Sequence, residues 1–240
     1  MSSDKKSARA DGQLRISDLT FTDLMNLEPH GPDTFVGLSP RYPWGGRLFG
    51  GQVVAQALRA AQSTVDEEYA VHSIHSYFIR GGTPSEPVRF EVDRIRNGRS
   101  FITRRAVARQ SNGAILNLSA SFQKAEEAPD VQPHRAPSVP RPEVLDDTGW
   151  GDMLQRRRAV EEFGRTVTWV RLSQDIEDDP RVAACAFLFI SDSVPTGAVR
   201  PPTPNRPTTR ARATSSWGPA SITSSTSTGP SLPPTGYSPT

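Results

Sequence analysis

The sequence predicts an α+β fold in which an antiparallel sheet wraps around one central helix. Small apolar residues recur at helical spacing over 53–61, which predicts a buried helix. From residue 70 onward apolar and polar residues alternate, which indicates β-strands. Asn-Gly pairs at 97–98 and 112–113 separate the alternating segments, as in β-hairpins. The helix is therefore expected to cover one face of a sheet made from these strands.

The segment before the central helix is predicted to be short and only partly ordered. Residues 1–14 are charged and lack an apolar cluster, so we expect them to be disordered. A short helix should follow, with Ser17 or Thr20 as its N-cap and leucines on one face. A short strand and a loop rich in Pro and Gly then lead to the central helix.

Four alternating segments make up the predicted sheet, and they cover residues 70–80, 87–96, 99–110 and 114–124. The last segment has an apolar face, made of Leu116, Leu118, Ala120 and Phe122. Such alternation is typical of a sheet that is covered on one side only. A long central helix wrapped by a meandering antiparallel sheet is the hotdog architecture. Residues 15–124 are therefore predicted to form one complete hotdog domain.

The second half of the chain is less regular. Residues 125–165 are rich in proline and are predicted to be a linker. Residues 166–193 repeat the order of strand, loop and helix that opens the first copy, with Asp179 as N-cap and Pro180 as first helical residue. They are predicted to form a partial second hotdog. More than half of residues 194–240 are Pro, Ser or Thr, so this tail is expected to be disordered.

The composition breaks abruptly near Ser193, inside an element that should continue. The alternating strands that should cover the second helix do not follow it in the sequence. A change of reading frame, which truncates the second hotdog, explains this break. A genuine low-complexity tail is the alternative.

Composition and charge argue against several classes of function. With 240 residues and 35% hydrophobic residues, the chain is long enough for one large domain, although part of it should remain unpacked. The net charge of +2 gives no strong field to recruit nucleic acid or a membrane surface. The lone cysteine, Cys185, cannot form an internal disulfide, and no apolar run reaches the roughly 18 residues of a membrane span. We therefore expect a cytoplasmic protein.

Four segments resemble one known family. They are RLFGGQVVAQALRAA, VHSIHSYFIRGG, RIRNGRSFITRRAVARQSNGAILNLSASFQ and WVRLSQDIEDDPRVAACAFLFISD. Over about residues 20–194 the chain resembles the acyl-CoA thioesterase II family. The resemblance implies a double hotdog that hydrolyses fatty acyl-CoA to free fatty acid and CoA without a metal or other cofactor. It also implies a homo-oligomer that assembles through the hotdog sheets.

The resemblance also implies where the catalytic residues should be. In that family an aspartate, a hydroxyl residue and a glutamine of the second hotdog are understood to hold and activate a water molecule. The motifs of the aspartate and the glutamine do not occur here, because both would lie beyond Ser193. Asp192 matches a Ser-Asp pair at the end of the family's second helix and is not the counterpart of the catalytic aspartate. The alternative hypothesis is an inactive hotdog remnant that binds acyl-CoA or forms oligomers.

The start of the central helix is the predicted substrate-binding site. The backbone N–H groups of Gly50, Gly51 and Gln52 lie where the helix dipole favours the negative charge that develops on a thioester carbonyl. Glycine lets a ligand approach the backbone closely. The alternative interpretation is that the glycines only allow a tight turn from loop to helix.

His72 and His75 are three residues apart in a predicted strand, so we expect them on opposite faces. No cluster of Cys, His or carboxylate residues at ligand spacing accompanies them, which argues against a metal site. The family resemblance favours His72 as the histidine near the active cleft, where it would act as a catalytic base at neutral pH. The alternative is a hydrogen-bonded structural histidine.

Two further groups of residues are weaker candidates. Six arginines crowd two paired strands, namely Arg94, Arg96, Arg99, Arg104, Arg105 and Arg109. They either attract the phosphates of CoA or form a solvated sheet edge that resists pairing with other chains. Ser119 and Ser121 have no neighbouring His and carboxylate in the sequence, so a serine triad is not indicated.

Overall fold

The structure is a computed structural model, and it describes residues 14–127, 129, 131, 135–162 and 164–193 together with the backbone of Ser221–Ser225. In chain order its helices and strands are α1 (Phe21–Met25), β1 (Glu28–Pro29), β2 (Thr34–Gly37), α2 (Gly50–Gln62), β3 (Tyr69–Phe78), β4 (Val88–Asn97), β5 (Phe101–Gln110), β6 (Gly113–Lys124), β7 (Leu154–Glu162), β8 (Arg165–Leu172), α3 (Pro180–Ser191) and β9 (Ser221–Ser225). Short 3₁₀ turns lie at Ile16–Asp18 and Pro142–Val144.

The sheet and its central helix agree with the sequence prediction. Within the described residues the larger sheet has the order β1-β2-β4-β5-β6-β3-β9, and all of its neighbouring strands are antiparallel. The apolar face of β6, including Leu118 and Phe122, is fully buried against α2. Eleven of the thirteen residues of α2 are buried, because small side chains let the helix lie close to the strands.

Both predicted helix caps are confirmed. Thr20 caps α1: its hydroxyl accepts a hydrogen bond from Asp23 N–H, and the Asp23 carboxylate accepts one from Thr20 N–H. This reciprocal pair satisfies two N–H groups that the helix itself leaves free. Asp179 caps α3 by accepting a hydrogen bond from Arg181 N–H, and Pro180 is the first helical residue.

Two predictions about the second half are wrong in part. β7 lies inside the predicted linker of residues 125–165 and pairs with β8 in an antiparallel hairpin. The arginines and glutamates of β7 hide its alternation, because long charged side chains occupy both faces. The predicted tail also contains β9, whose backbone pairs with β3, so disorder is the wrong expectation for Ser221–Ser225. The other residues of the tail, and residues 1–13, lie outside the described part of the chain.

The two long helices pack antiparallel. At one end Gln62 Nε2 donates to Arg181 O (3.1 Å), and at the other end Gly51 N–H donates to Asp192 Oδ2 (2.9 Å). A Cβ atom at Gly51 would lie 2.4 Å from Phe189 O, which is backbone and cannot turn aside. Glycine at this position is therefore required by the close approach of α3 to α2.

No helix within the described ranges is long and apolar enough to cross a membrane. Cys185 is a free thiol, and it is fully buried between α3 and α2, where its Sγ contacts Gln62 Oε1 (3.3 Å). Burial raises the pKa of the Cys185 thiol to about 12. The thiol therefore stays protonated and acts as a small apolar side chain.

Candidate functional site

The predicted substrate site lies where the start of α2 meets the end of α3. Phe49 precedes the helix and gives it no side-chain cap, so the first N–H groups of α2 depend on groups from elsewhere in the fold. Asp192, directly after α3, supplies one of them by accepting the hydrogen bond of Gly51 N–H. The two halves of the chain therefore meet at the positive end of the α2 dipole.

Gly50 and Gly51 have no side chains, and the space that a Cβ atom would need is occupied by neighbouring groups of this chain. A Cβ atom at Gly50 would lie 2.6 Å from Asp192 Oδ2 and 2.8 Å from Cε1 of Phe78. At Gly51 the nearest atom would be Phe189 O. The space beside these glycines is therefore bordered by a carboxylate, a phenyl ring and the last turn of α3.

The Gln52 side chain is completely buried, and both of its polar atoms form hydrogen bonds. Its Oε1 accepts a hydrogen bond from the Tyr42 hydroxyl (2.8 Å), and its Nε2 donates to Leu38 O (2.8 Å). These bonds tie the Pro/Gly loop before α2 to the first turn of the helix. The predicted contribution of Gln52 to substrate binding is thus limited to its backbone N–H, and it remains a prediction.

Asp192 is the carboxyl group of this region, and its environment is unusual. The residue is partly exposed, and within the described chain only its Oδ2 atom has a hydrogen-bond partner. Burial raises the pKa of Asp192 to about 6, although the hydrogen bond from Gly51 N–H lowers it. A carboxyl group that changes its charge near neutral pH is suited to proton transfer.

An aromatic cluster lies at the start of α2, where the Phe49 ring borders Gly51. The Phe49 ring lies 4.4 Å from the Trp150 ring and 5.1 Å from the Phe189 ring, measured between centroids. Trp44 and Tyr42 extend the cluster toward the surface, where Trp44 is 46% exposed. Trp150 comes from the predicted linker, so sequence analysis missed its part in this cluster. The rings make this end of α2 apolar.

His72 and His75 lie on the same face of the sheet, so the prediction that they face opposite ways is wrong. Val71 pairs with Phe122 and Ser73 pairs with Ser121, which leaves His72 as the extra residue of a β-bulge. The bulge shifts the alternation by one residue. Both histidines therefore lie on the outer face, away from α2, where His75 contacts the exposed Tyr77 ring at 4.4 Å.

His72 meets a serine that is far away in the sequence. His72 Nε2 lies 2.8 Å from Ser121 Oγ, and its ring contacts Phe101 edge to face at 5.9 Å. A third residue that would orient the imidazole is not among the described contacts of His72. The pair can exchange a proton, but it lies across the sheet from the start of α2. The role predicted for His72 in catalysis stays a prediction.

The crowded arginines do not act as one group. Arg94, Arg105 and Arg109 pair with Asp33, Asp93 and Glu91 on the exposed sheet surface. Arg104 is only 1% exposed and donates to Thr64 Oγ1 (2.7 Å), Thr64 O and Arg96 O. The ion-paired arginines have their charge partly neutralised, and Arg104 is structural.

Within the residues that the structure describes, no group of three His, Cys, Asp or Glu side chains could hold a metal ion.

Sequence comparisons agree with this geometry. A family model described as the acyl-CoA thioesterase N-terminal domain matches residues 38–123. Acyl-coenzyme A thioesterase 8 of Mus musculus is 44% identical over 136 residues, which are 57% of this chain and 42% of the mouse protein. Acyl-CoA thioesterase 2 of Haemophilus influenzae is 39% identical over 110 residues, covering 46% of this chain and 37% of the bacterial protein. The chain spans about two fifths of the length of these relatives.

A solved structure extends the comparison. The crystal structure of the acyl-CoA thioesterase II TesB2 from Mycobacterium marinum matches with a TM-score of 0.65 and 32% identity, covering 74% of this chain and 68% of that chain. An antiparallel sheet wrapped around a central helix is the hotdog fold, and the matching family model and solved structure place this fold in the thioesterase class. Within that class the chain belongs to the acyl-CoA thioesterase II family, which confirms the resemblance seen in the sequence.

Proposed function

We propose that this chain hydrolyses fatty acyl-CoA to a fatty acid and CoA, as part of fatty-acid metabolism. The observation that carries the proposal is the match of the family model, which covers α2 with its glycine pair and β3 to β6. Relatives that share this part of the chain are named acyl-CoA thioesterases. A thioester carbonyl bound at the start of α2 would be polarised by the backbone N–H groups of Gly50, Gly51 and Gln52.

His72 is the base that the sequence favours for this reaction. Its hydrogen bond to Ser121 Oγ fixes the orientation of the imidazole ring. A neutral imidazole can take a proton from water. The family resemblance supports this role, whereas the position of His72 on the outer face, across the sheet from the start of α2, argues against contact with a thioester bound there.

A second candidate function is an inactive hotdog remnant that binds acyl-CoA or self-associates. Two observations favour it. Gly51 N–H, which a substrate carbonyl would need, is already bonded to Asp192. A shallow surface cleft of about 580 Å³ also lies between β8 and α3, and its lining includes Leu172, Ile190 and Asp175.

Release of thiol from palmitoyl-CoA by the purified full-length chain separates the two functions. The thioesterase proposal predicts turnover, and the remnant hypothesis predicts binding of palmitoyl-CoA in a calorimeter without turnover. His72→Ala should abolish turnover if His72 is the base, whereas His75→Ala, three residues away on the same face, should leave it unchanged. Equal rates for the two variants would remove His72 from the reaction.

Self-association and cytoplasmic location complete the proposal. Phe187 and Trp169 are 48% and 44% exposed, and a second copy would remove such apolar surface from water. Light scattering at increasing protein concentration tests this, because a monomer at all concentrations would contradict it. The free Cys185 suits a reducing compartment. Fractionation of cells that express the tagged chain tests the location, and recovery in another compartment would contradict it.

A further inference from the structure

We propose that Arg47 and Arg80 bind the phosphate groups of CoA, and that the exposed Trp44 ring stacks on its adenine base. The inference rests on the proposed function, because acyl-CoA is the substrate there, and it names the part of the surface that holds the nucleotide end of that substrate. It also moves the phosphate contacts away from the crowded strand arginines that the sequence suggests.

The nucleotide end of CoA makes two chemical demands on a binding surface. Its diphosphate and its ribose 3′-phosphate are strongly negative, and a guanidinium group binds phosphate oxygens through paired N–H donors. Its adenine base is a flat ring that stacks on aromatic side chains. The site therefore needs arginines whose charge is not already neutralised, and an aromatic ring that is partly exposed.

Arg47 and Arg80 are exposed arginines that keep their full charge. Neither of them forms an ion pair within the part of the chain that the structure describes. Arg94, Arg105 and Arg109 differ in this respect, because each of them pairs with an acid on the sheet surface. Arg47 and Arg80 are therefore better placed to attract a phosphate than the ion-paired strand arginines.

Both arginines lie at the end of β3 that is close to the start of α2. The Arg47 side chain lies over Gly81, because a Cβ atom at that glycine would be 2.8 Å from Arg47 Cδ and 3.4 Å from Arg47 Cζ. Arg80 directly precedes Gly81. At the same end of β3 the Phe78 ring borders Gly50. The two arginines are therefore neighbours of the predicted substrate site.

The Arg80 guanidinium is held in place and still has donors to offer. Its Nη1 donates to Asn112 O, and it lies 3.3 Å from the position of a Cβ atom at Gly113. A guanidinium has five N–H donors, so this bond leaves others for a phosphate. The acid Glu86 contacts the same turn, where it accepts hydrogen bonds from Ser111 N–H (3.1 Å) and Ser111 Oγ (3.0 Å). It therefore bonds to its own loop and pairs with neither arginine.

Trp44 supplies the aromatic surface, on the loop that also carries Arg47. Its ring stacks on the Tyr42 ring with 4.7 Å between centroids and 22° between planes, while 46% of the residue remains exposed. Gly45 and Gly46 follow, and a Cβ atom at either position would have nothing within 4 Å. The loop next to Trp44 therefore leaves open space in which a flat base can reach the exposed part of the ring.

The aromatic cluster connects this loop to the start of α2. The Trp44 ring lies 6.3 Å from the Phe49 ring, measured between centroids, and the Phe49 ring borders Gly51. A ligand that contacts Trp44 and Arg47 is therefore adjacent to the predicted substrate site. Unpaired guanidinium groups together with an exposed ring match the phosphates and base of CoA better than they match a simple anion.

The test measures binding to the full-length chain by calorimetry, with two ligands. One is CoA, and the other is adenosine 3′,5′-bisphosphate, which has the base and phosphate groups but no pantetheine arm. We expect Arg47→Gln and Arg80→Gln each to weaken the binding of both ligands at least about fivefold. Arg99→Gln is the matched control and should leave both affinities unchanged. Arg99 is also exposed, but its O accepts from the hydroxyl of Tyr69, at the opposite end of β3.

Two further variants test the stacking. Trp44→Ala should weaken the binding of adenosine 3′,5′-bisphosphate at least about fivefold, because the platform for the base is lost. Trp44→Phe should keep most of the affinity, because a phenyl ring still stacks. Thermal melts check that both variants fold. An equal loss of affinity in the two variants assigns the Trp44 ring a structural role and overturns the stacking.

The outcomes separate this inference from the proposed function. Turnover of palmitoyl-CoA by a wild-type chain that does not bind adenosine 3′,5′-bisphosphate overturns the inference and leaves the proposed function standing. Equal losses in Arg47→Gln and Arg99→Gln reveal a non-specific attraction between charges and also overturn it. Binding of CoA that Arg47→Gln and Arg80→Gln weaken, in a chain without turnover, supports the inference and contradicts the proposed function.

Discussion

The central helix of the first hotdog and the helix of the second differ in how much of their surface other elements cover. α2 is buried along nearly its whole length, with the sheet on one side and α3 on another. α3 buries the side that meets α2, while Phe187 remains 48% exposed. Within the described chain, β7 and β8 form the only sheet of the second repeat. The second helix therefore depends on the first for its burial.

The second repeat is held in place mainly by the contacts between α3 and α2. Its helix begins and ends on polar contacts with α2, through Arg181 O and Asp192 Oδ2. Between these ends the packing is close, because Gly51 lets the backbone of Phe189 approach. We therefore expect the first repeat to set the stability of the whole chain and the second repeat to follow it.

The largest expected effect comes from removing matched phenyl rings in the two repeats. Phe122→Ala empties a fully buried site against α2 and should lower the free energy of unfolding by about 3–5 kcal/mol. Phe187→Ala removes a half-exposed ring from α3 and should change it by less than about 0.5 kcal/mol. Urea unfolding monitored by circular dichroism measures both. Similar losses for the two variants would contradict the comparison.

The junction between the repeats should be sensitive to pH. The folded pKa of Asp192, about 6, lies above its ordinary value of 3.8, so the protonated form is favoured by folding. This contribution is fully present below about pH 4 and is lost as pH rises through 6. Wild type should therefore lose ~3 kcal/mol relative to Asp192→Asn between pH 3 and pH 7.5. Unfolding curves of both proteins at several pH values measure the gap, and a constant gap would contradict a raised pKa.

A smaller effect sharpens the description of the first repeat. Arg104→Met leaves the buried Thr64 O and the partly buried Arg96 O without their donor and should cost about 1–3 kcal/mol. Arg105→Met is the adjacent control, because it removes only an exposed ion pair with Asp93 and should cost less than about 1 kcal/mol. Thermal melts of the two variants measure the difference. Equal melting temperatures would show that Arg104 is not structural.

Periodicity and turn chemistry were sufficient to predict the first repeat. Neighbouring residues alone determine both the apolar spacing of α2 and the turns at the Asn-Gly pairs. Both features can therefore be predicted from the sequence. Arg104 shares a strand face with Ile102 and Ala106, and this alternation signals its burial. The bulge at His72 has no such signal, because one extra residue leaves the composition of β3 unchanged.

The candidate site was harder to predict than the fold. Gly51 and Asp192 are 141 residues apart, and the close approach of two helices brings them together. Ser121 and His72 are 49 residues apart and meet only through strand pairing. The strand β7 was missed because its many charged side chains give it the polar composition that is typical of a solvated linker. Contacts that depend on packing between distant elements leave no pattern within either segment.

Hydrogen exchange of the full-length chain tests the central comparison most directly. We expect the amides of α2 and β6 to exchange only through global unfolding, while those of β7 and β8 exchange at least about tenfold faster through local opening. The amides of α3 should show intermediate protection, because one side of this helix is packed. Equal protection of β7 and β6 would contradict the claim that the second repeat is less completely enclosed than the first.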